Sequence, residues 1–168
     1  MIRIGRPILW AVLVAASLPT AGFARNLRHP ASGEPAFAMT VPDDWTAVTV
    51  DGGKSLSVTS ADRRIGFALT VATTDKSADE IARSAVTATK GTQLETKPAS
   101  ISGFAGRTYS WTYLSAAGIK LHTTMITVPL DGQWLASCTK LEVDGNTQAD
   151  QQLANTVLQS VTLTKGGK

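Results

Sequence analysis

One cysteine, Cys138, stands in a chain of 168 residues, which excludes an internal disulfide and every metal centre built on several thiolates. Histidine is nearly as scarce. His29 and His122 stand far apart, with neither an H-x-H nor an H-E-x-x-H spacing, so no zinc or copper site is expected. Charged residues make up only 17% of the chain, below the roughly 25% usual for globular proteins, and no Lys/Arg cluster offers a nucleic-acid surface. The phosphate-cradling glycine loops and the G-x-S-x-G nucleophile elbow are missing, which removes nucleotide cofactors and elbow hydrolases from consideration. Asp43, Asp44 and Asp51 lack the spacing of a calcium loop; they read as turn residues.

The first 24 residues have the pattern of a secretory leader. Arg3 and Arg6 precede an apolar stretch from Ile8 to Leu18, and Gly22-Phe23-Ala24 presents small residues before a scissile bond. Cleavage after Ala24 is expected. The stretch is shorter than the roughly 20 apolar residues that span a bilayer, and no cysteine stands ready to take a lipid, so no stable membrane anchor is expected after cleavage. Removing Arg3 and Arg6 leaves 14 basic groups against 13 acidic ones. A chain this close to neutrality has no long-range field with which to gather nucleic acid or anionic lipid. Export to a bacterial periplasm or the medium follows.

Polar residues 25–36, with Pro30, Gly33 and Pro35, predict a flexible N-terminal segment, followed by one domain over 37–165. There, short runs rich in Val, Ile, Thr and aromatics alternate with turn signals: 37–41, 45–50, 55–60, 65–73, 93–97, 107–115, 119–130 and 133–143. The connections are too short for parallel crossovers, so the sheet should be mainly antiparallel. Asp131-Gly132 predicts a two-residue turn, which would place Cys138 opposite Met125 and His122 opposite Leu141, on the other face.

Two helices are marked by their caps. Ser77 followed by Glu80 is a capping box; Ala78, Ile81, Ala82, Ala85 and Thr89 continue at helical spacing, with Gly91 placed for a left-handed C-terminal residue. Thr147 with Asp150 opens a second helix, whose expected stripe is Ala149, Leu153, Val157 and Val161.

The run Phe37-Ala38-Met39-Thr40-Val41-Pro42-Asp43-Asp44-Trp45 resembles the opening strand of the PsbP-like superfamily. The order that follows is similar too: the Asp51-Gly52-Gly53 hairpin, the long strand 65–73, the capped helix, Ile101-Ser102-Gly103, and Val157 to Val161. The resemblance implies an α+β fold, an α/β/α sandwich with a mainly antiparallel sheet flanked by helices. It also implies a small exported or complex-associated protein that binds partners and is not an enzyme. No ligand set of the family can be placed on residues here.

Ser137 and Lys140 match S-x-x-K, but in a strand positions i and i+3 face opposite ways and the partner motifs are missing. Cys138 reads as a buried, inert thiol. The strongest cluster is Tyr109, Trp111 and Tyr113, which alternation puts on one strand face, with Trp134 expected beside them on a neighbouring strand. Such a ladder serves either as core beneath a helix or as a partner-binding surface, and these four residues are the candidate partner site. No catalytic set, no metal and no cofactor is expected. The expected function is that of an exported, non-enzymatic binding or accessory protein acting through contacts with another envelope protein. The alternative is an immunity protein or inhibitor of a periplasmic hydrolase.

Overall fold

The computed structural model describes residues 24–33, 35–131 and 133–164; residues 1–23 of the expected leader lie outside them, and its last residue, Ala24, opens the first strand. A three-stranded antiparallel sheet has the order β1 (Ala24–His29), β2 (Ala36–Pro42), β10 (Thr162–Thr164). A seven-stranded sheet runs β3 (Thr46–Val50), β4 (Ser55–Thr59), β5 (Ile65–Thr73), β9 (Trp134–Val143), β8 (Lys120–Pro129), β7 (Phe104–Leu114), β6 (Thr92–Ile101). Every neighbour in both sheets is antiparallel. Two helices, α1 (Ala78–Thr89) and α2 (Gln148–Gln159), fill the long connections. The expected α+β architecture is thus present.

The seven-stranded sheet separates two cores. Against one face, Leu56, Val58, Phe67, Leu69, Ala136, Cys138 and Val128 pack with Phe37, Met39, Val41 and Leu163 of the small sheet and with Ala154 and Val157 of α2. Trp45 lies on this side and stacks on Phe67 with ring centroids 6.1 Å apart. Across the sheet, α1 lays Ala82 on Tyr109, Trp111 and Met125. Period-2 alternation accounts for both: odd residues of β7 face α1, and odd residues of β5 face the larger core.

Both capping boxes form. Glu80 N–H donates to Ser77 Oγ at 3.2 Å while Ser77 N–H donates to Glu80 Oε2 at 2.7 Å; Thr147 and Asp150 repeat the pattern at 3.2 and 3.0 Å. The left-handed residue ending α1 is Lys90 (φ 53) and not Gly91. Gly91 serves another purpose: a Cβ there would stand 2.4 Å from Trp111 Cδ1, so the missing side chain lets the tryptophan slide beneath the helix end. In α2 the buried residues are Ala154 and Val157, and the expected Leu153 is 38% exposed.

Two further expectations are corrected. Residues 24–29 are a strand and not a flexible lead-in: Leu27 and His29 turn inward and pair with Met39 and Phe37. A polar edge strand is held by its neighbour's ladder, which local composition does not show. The β8–β9 loop has three residues and not two, because Leu130 N–H donates to Trp134 O at 2.9 Å. The extra residue moves the pairing by one, so Cys138 faces Ile126 and His122 faces Glu142. Cys138 and His122 therefore share a sheet face. Four residues of strand still put Cys138 roughly 13 Å from Glu142, the residue opposite His122.

Candidate binding groove

Along one face of the β8–β9 pair the chemistry changes from apolar to charged. The opposed positions are Val128 and Ala136, Ile126 and Cys138, Thr124 and Lys140, then His122 and Glu142. α2 crosses this face, covering the apolar end with Ala154 and Val157 and the polar end with Gln151 and Asn155, one turn apart. Between helix and strands lies a groove of about 280 Å³, closed at one end by Asp144-Gly145-Asn146.

Its charges are paired internally. Lys140 Nζ lies 2.8 Å from Glu142 Oε2, and their side chains are only 10% and 16% exposed; Nζ also donates to Asn155 Oδ1 at 3.0 Å. An ion pair this desolvated adds little to stability and is costly to break, since removing one member strands the other charge. His122 Nε2 lies 2.6 Å from Asp144 Oδ1. The imidazole at that distance holds the Asp144 carboxyl below the usual carboxylate range, with Lys120 assisting. Arg64 braces the loop, donating to Asn146 Oδ1 and to Gly145 O at 2.8 and 3.0 Å. The groups left over are amide donors and acceptors, together with the second oxygens of the two carboxylates.

Among the described residues no hydroxyl or thiol hydrogen-bonds His122. Cys138 is fully buried, and burial pushes its thiol up to about 12. Ser137 and Lys140 point to opposite faces, as strand alternation requires.

The four aromatic candidates are not brought together. Tyr109 and Trp111 are 1% and 4% exposed beneath α1. Tyr109 Oη donates to Asp79 Oδ1 at 2.5 Å and Trp111 Nε1 to Thr89 Oγ1 at 3.2 Å, so both polar tips are spent on the helix. Tyr113, partly buried, continues the row. Trp134 sits opposite Thr73 on the other face and is 41% exposed; its even position puts it out of reach of the ladder. Sequence reasoning missed Glu142, Asp144, Gln151 and Asn155. The alternation Lys140-x-Glu142-x-Asp144 was legible, but only the true register sets it beside His122.

No family model matches the chain, and no curated protein does. Solved structures do. The solution structure of cyanobacterial PsbP (CyanoP) from Synechocystis matches with a TM-score of 0.60 at 14% identity, over 89% of this chain and 99% of that one. The fold is PsbP-like. LpqN, described as involved in cell envelope biogenesis of Mycobacterium tuberculosis, gives a TM-score of 0.57 at 18% identity, over 84% of this chain and 91% of that one. A protein from Bacteroides thetaiotaomicron gives 0.52 at 16% identity, and there 79% of this chain covers 46% of that one. The PsbP-like assignment matches the opening-strand resemblance, since Phe37, Met39 and Val41 of β2 and Trp45 all lie in the larger core. Among the described residues, no helix is long and apolar enough to cross a membrane.

Proposed function

We propose that the protein is an exported, non-enzymatic accessory protein of the bacterial envelope that holds another envelope protein through the groove between α2 and the β8–β9 pair. The observation that carries this reading is the internal pairing of the groove charges, Lys140 with Glu142 and His122 with Asp144, in a concavity whose remaining groups are amides and carboxylate oxygens. Such a lining recognises by directional hydrogen bonds and has no activated nucleophile. The leader-like residues before Ala24 support export, and the fold shared with an envelope-biogenesis protein supports the compartment.

The test is site-specific photo-crosslinking in intact cells. A photoreactive residue at Gln151, which is exposed at the groove mouth, should give one discrete adduct with an envelope protein, and the same residue at Arg83 on α1 should not. Equal adducts from both positions, or substrate turnover by the purified protein that disappears in His122→Ala, would overturn the proposal.

A further inference from the structure

The β7–β8 hairpin closes in an apolar tip. From Leu114 to Ile119 the chain reads Leu-Ser-Ala-Ala-Gly-Ile, without a charge, and Leu114 and Ile119 are 67% and 47% exposed. Ala116, Ala117 and Gly118 between them are exposed as well. Much of the tip's backbone is satisfied from within: Ser115 N–H donates to Ile119 O at 2.8 Å, Gly118 N–H to Ser115 O at 2.9 Å, and Ile119 N–H to Ser115 Oγ at 3.2 Å. Paired amides lower the cost of taking a segment out of water. Behind the tip lies a hollow of about 380 Å³ whose lining includes Lys90, Lys120, Tyr113, Thr92 and Thr112 and contains no acidic residue. Neither lysine forms an ion pair among the described residues. Asp144, close enough to Lys120 to feel its charge, is engaged by His122 Nε2 at 2.6 Å.

We propose that this tip is a lipid-contact site, which sets Leu114 and Ile119 into the surface of an anionic phospholipid bilayer while Lys90 and Lys120 meet headgroup phosphates. Shape and charge together select that occupant. A convex, uncharged tip needs a deformable apolar layer to cover it, and cations directly behind it need anions at the depth where that layer ends. Leu114 pairs with Lys120 across the hairpin, so apolar side chain and ammonium are adjacent. Lysine stems run along apolar surface and keep their heads in the polar zone, and tyrosine, here Tyr113, suits the same boundary. The acids at this end of the sheet do not oppose it. Asp43 and Asp44 precede β3, four strand spacings or roughly 19 Å from β8, beyond the roughly 8 Å screening length of physiological salt. Asp62 stands beside Arg63 and Arg64, and Asp150 is spent on Thr147. One hairpin tip gives a shallow, reversible contact and not a stable anchor. It acts at contact distance, so the near-neutral charge of the whole chain does not prevent it. The inference is independent of the groove.

Vesicle flotation of the exported form, beginning at Arg25, decides it. Wild type should float with vesicles of phosphatidylethanolamine and phosphatidylglycerol, and less with phosphatidylcholine alone. Leu114→Ser with Ile119→Ser should weaken binding to both by roughly tenfold or more. Lys90→Gln with Lys120→Gln should remove the preference for the anionic vesicles. All four positions are exposed, and unchanged circular dichroism and melting temperature confirm that the variants fold. Because Cys138 is buried, an environment-sensitive dye can be placed at Ala117→Cys alone. Its emission should shift to the blue on adding anionic vesicles, and a dye at Lys54→Cys, at the opposite end of the sheet, should not respond. Wild type that binds neither vesicle at millimolar lipid overturns the proposal, as do equal binding to both vesicles, binding unaffected by the Leu114 and Ile119 changes, or equal shifts from the two dyes. A photoreactive residue at Ala117 that captures one discrete protein in intact cells, with no vesicle binding, assigns the tip to a protein partner and overturns it too.

Discussion

At the scale of single residues, two positions owe their identity to what surrounds them. Gly91 is fixed by the Trp111 ring that occupies the space of its absent side chain, and Gly91→Ala should lower unfolding free energy by about 1 to 3 kcal/mol in urea melts, the cost of overpacking. Cys138 is fixed by the core. Its thiol pKa is raised from 9.0 to about 12 by burial, so the folded state disfavours the thiolate. The resulting stability is present below about pH 9 and is lost as pH rises towards 12. Burial raises Tyr109 and Tyr113 in the same direction. Thermal melts should therefore fall on the alkaline side, less steeply in Cys138→Ala, and native protein should resist thiol reagents until it unfolds. A Cys138→Ala protein with an unchanged alkaline slope would remove the thiol from this account. The buried thiol was legible from composition; the purpose of Gly91 was not, because it depends on a tryptophan 20 residues downstream, brought there by tertiary packing.

At the scale of elements, what the sequence revealed was local chemistry. The cap pairs Ser77 with Glu80 and Thr147 with Asp150 are complete within four residues, and β5 was read with its boundaries at Ile65 and Thr73. Ser77→Ala should cost about 1 kcal/mol by loss of the cap, read as a lower denaturation midpoint with an unchanged slope. Pairing was less legible. One residue more in the β8–β9 loop shifts every facing pair, and with it the neighbours of His122. The candidate groove was hidden for that reason: Glu142 and Asp144 are separated from His122 by 20 residues or more, and only a register defines them as one site. Tyr109, Trp111 and Tyr113 do share one face, as alternation indicates, but Trp134 does not join them, and whether a helix or a partner covers the ladder is decided by where α1 returns.

At the scale of the whole molecule, the sheet insulates two cores that meet through backbone alone. Trp45→Ala, which empties the space beside Phe67, should cost about 3 to 5 kcal/mol, as should Trp111→Ala beneath α1. Having no shared side-chain partners, the two losses should add to within about 0.5 kcal/mol in a double-mutant cycle; a larger coupling would show that the sheet transmits strain between its faces. The small sheet adds a matter of timing. β2 is flanked by β1, made just before it, and by β10, where Leu163 faces Phe37 across most of the chain. Loop closure over such a span is slow compared with local hairpins. Phe37, covered on one side by β1, therefore completes its packing only once residues 162–164 dock. Residues 162–164 thus lay the last seal on the larger core, and a chain truncated within α2 should keep its hairpins, expose Phe37 and Met39, and be the form that proteases remove.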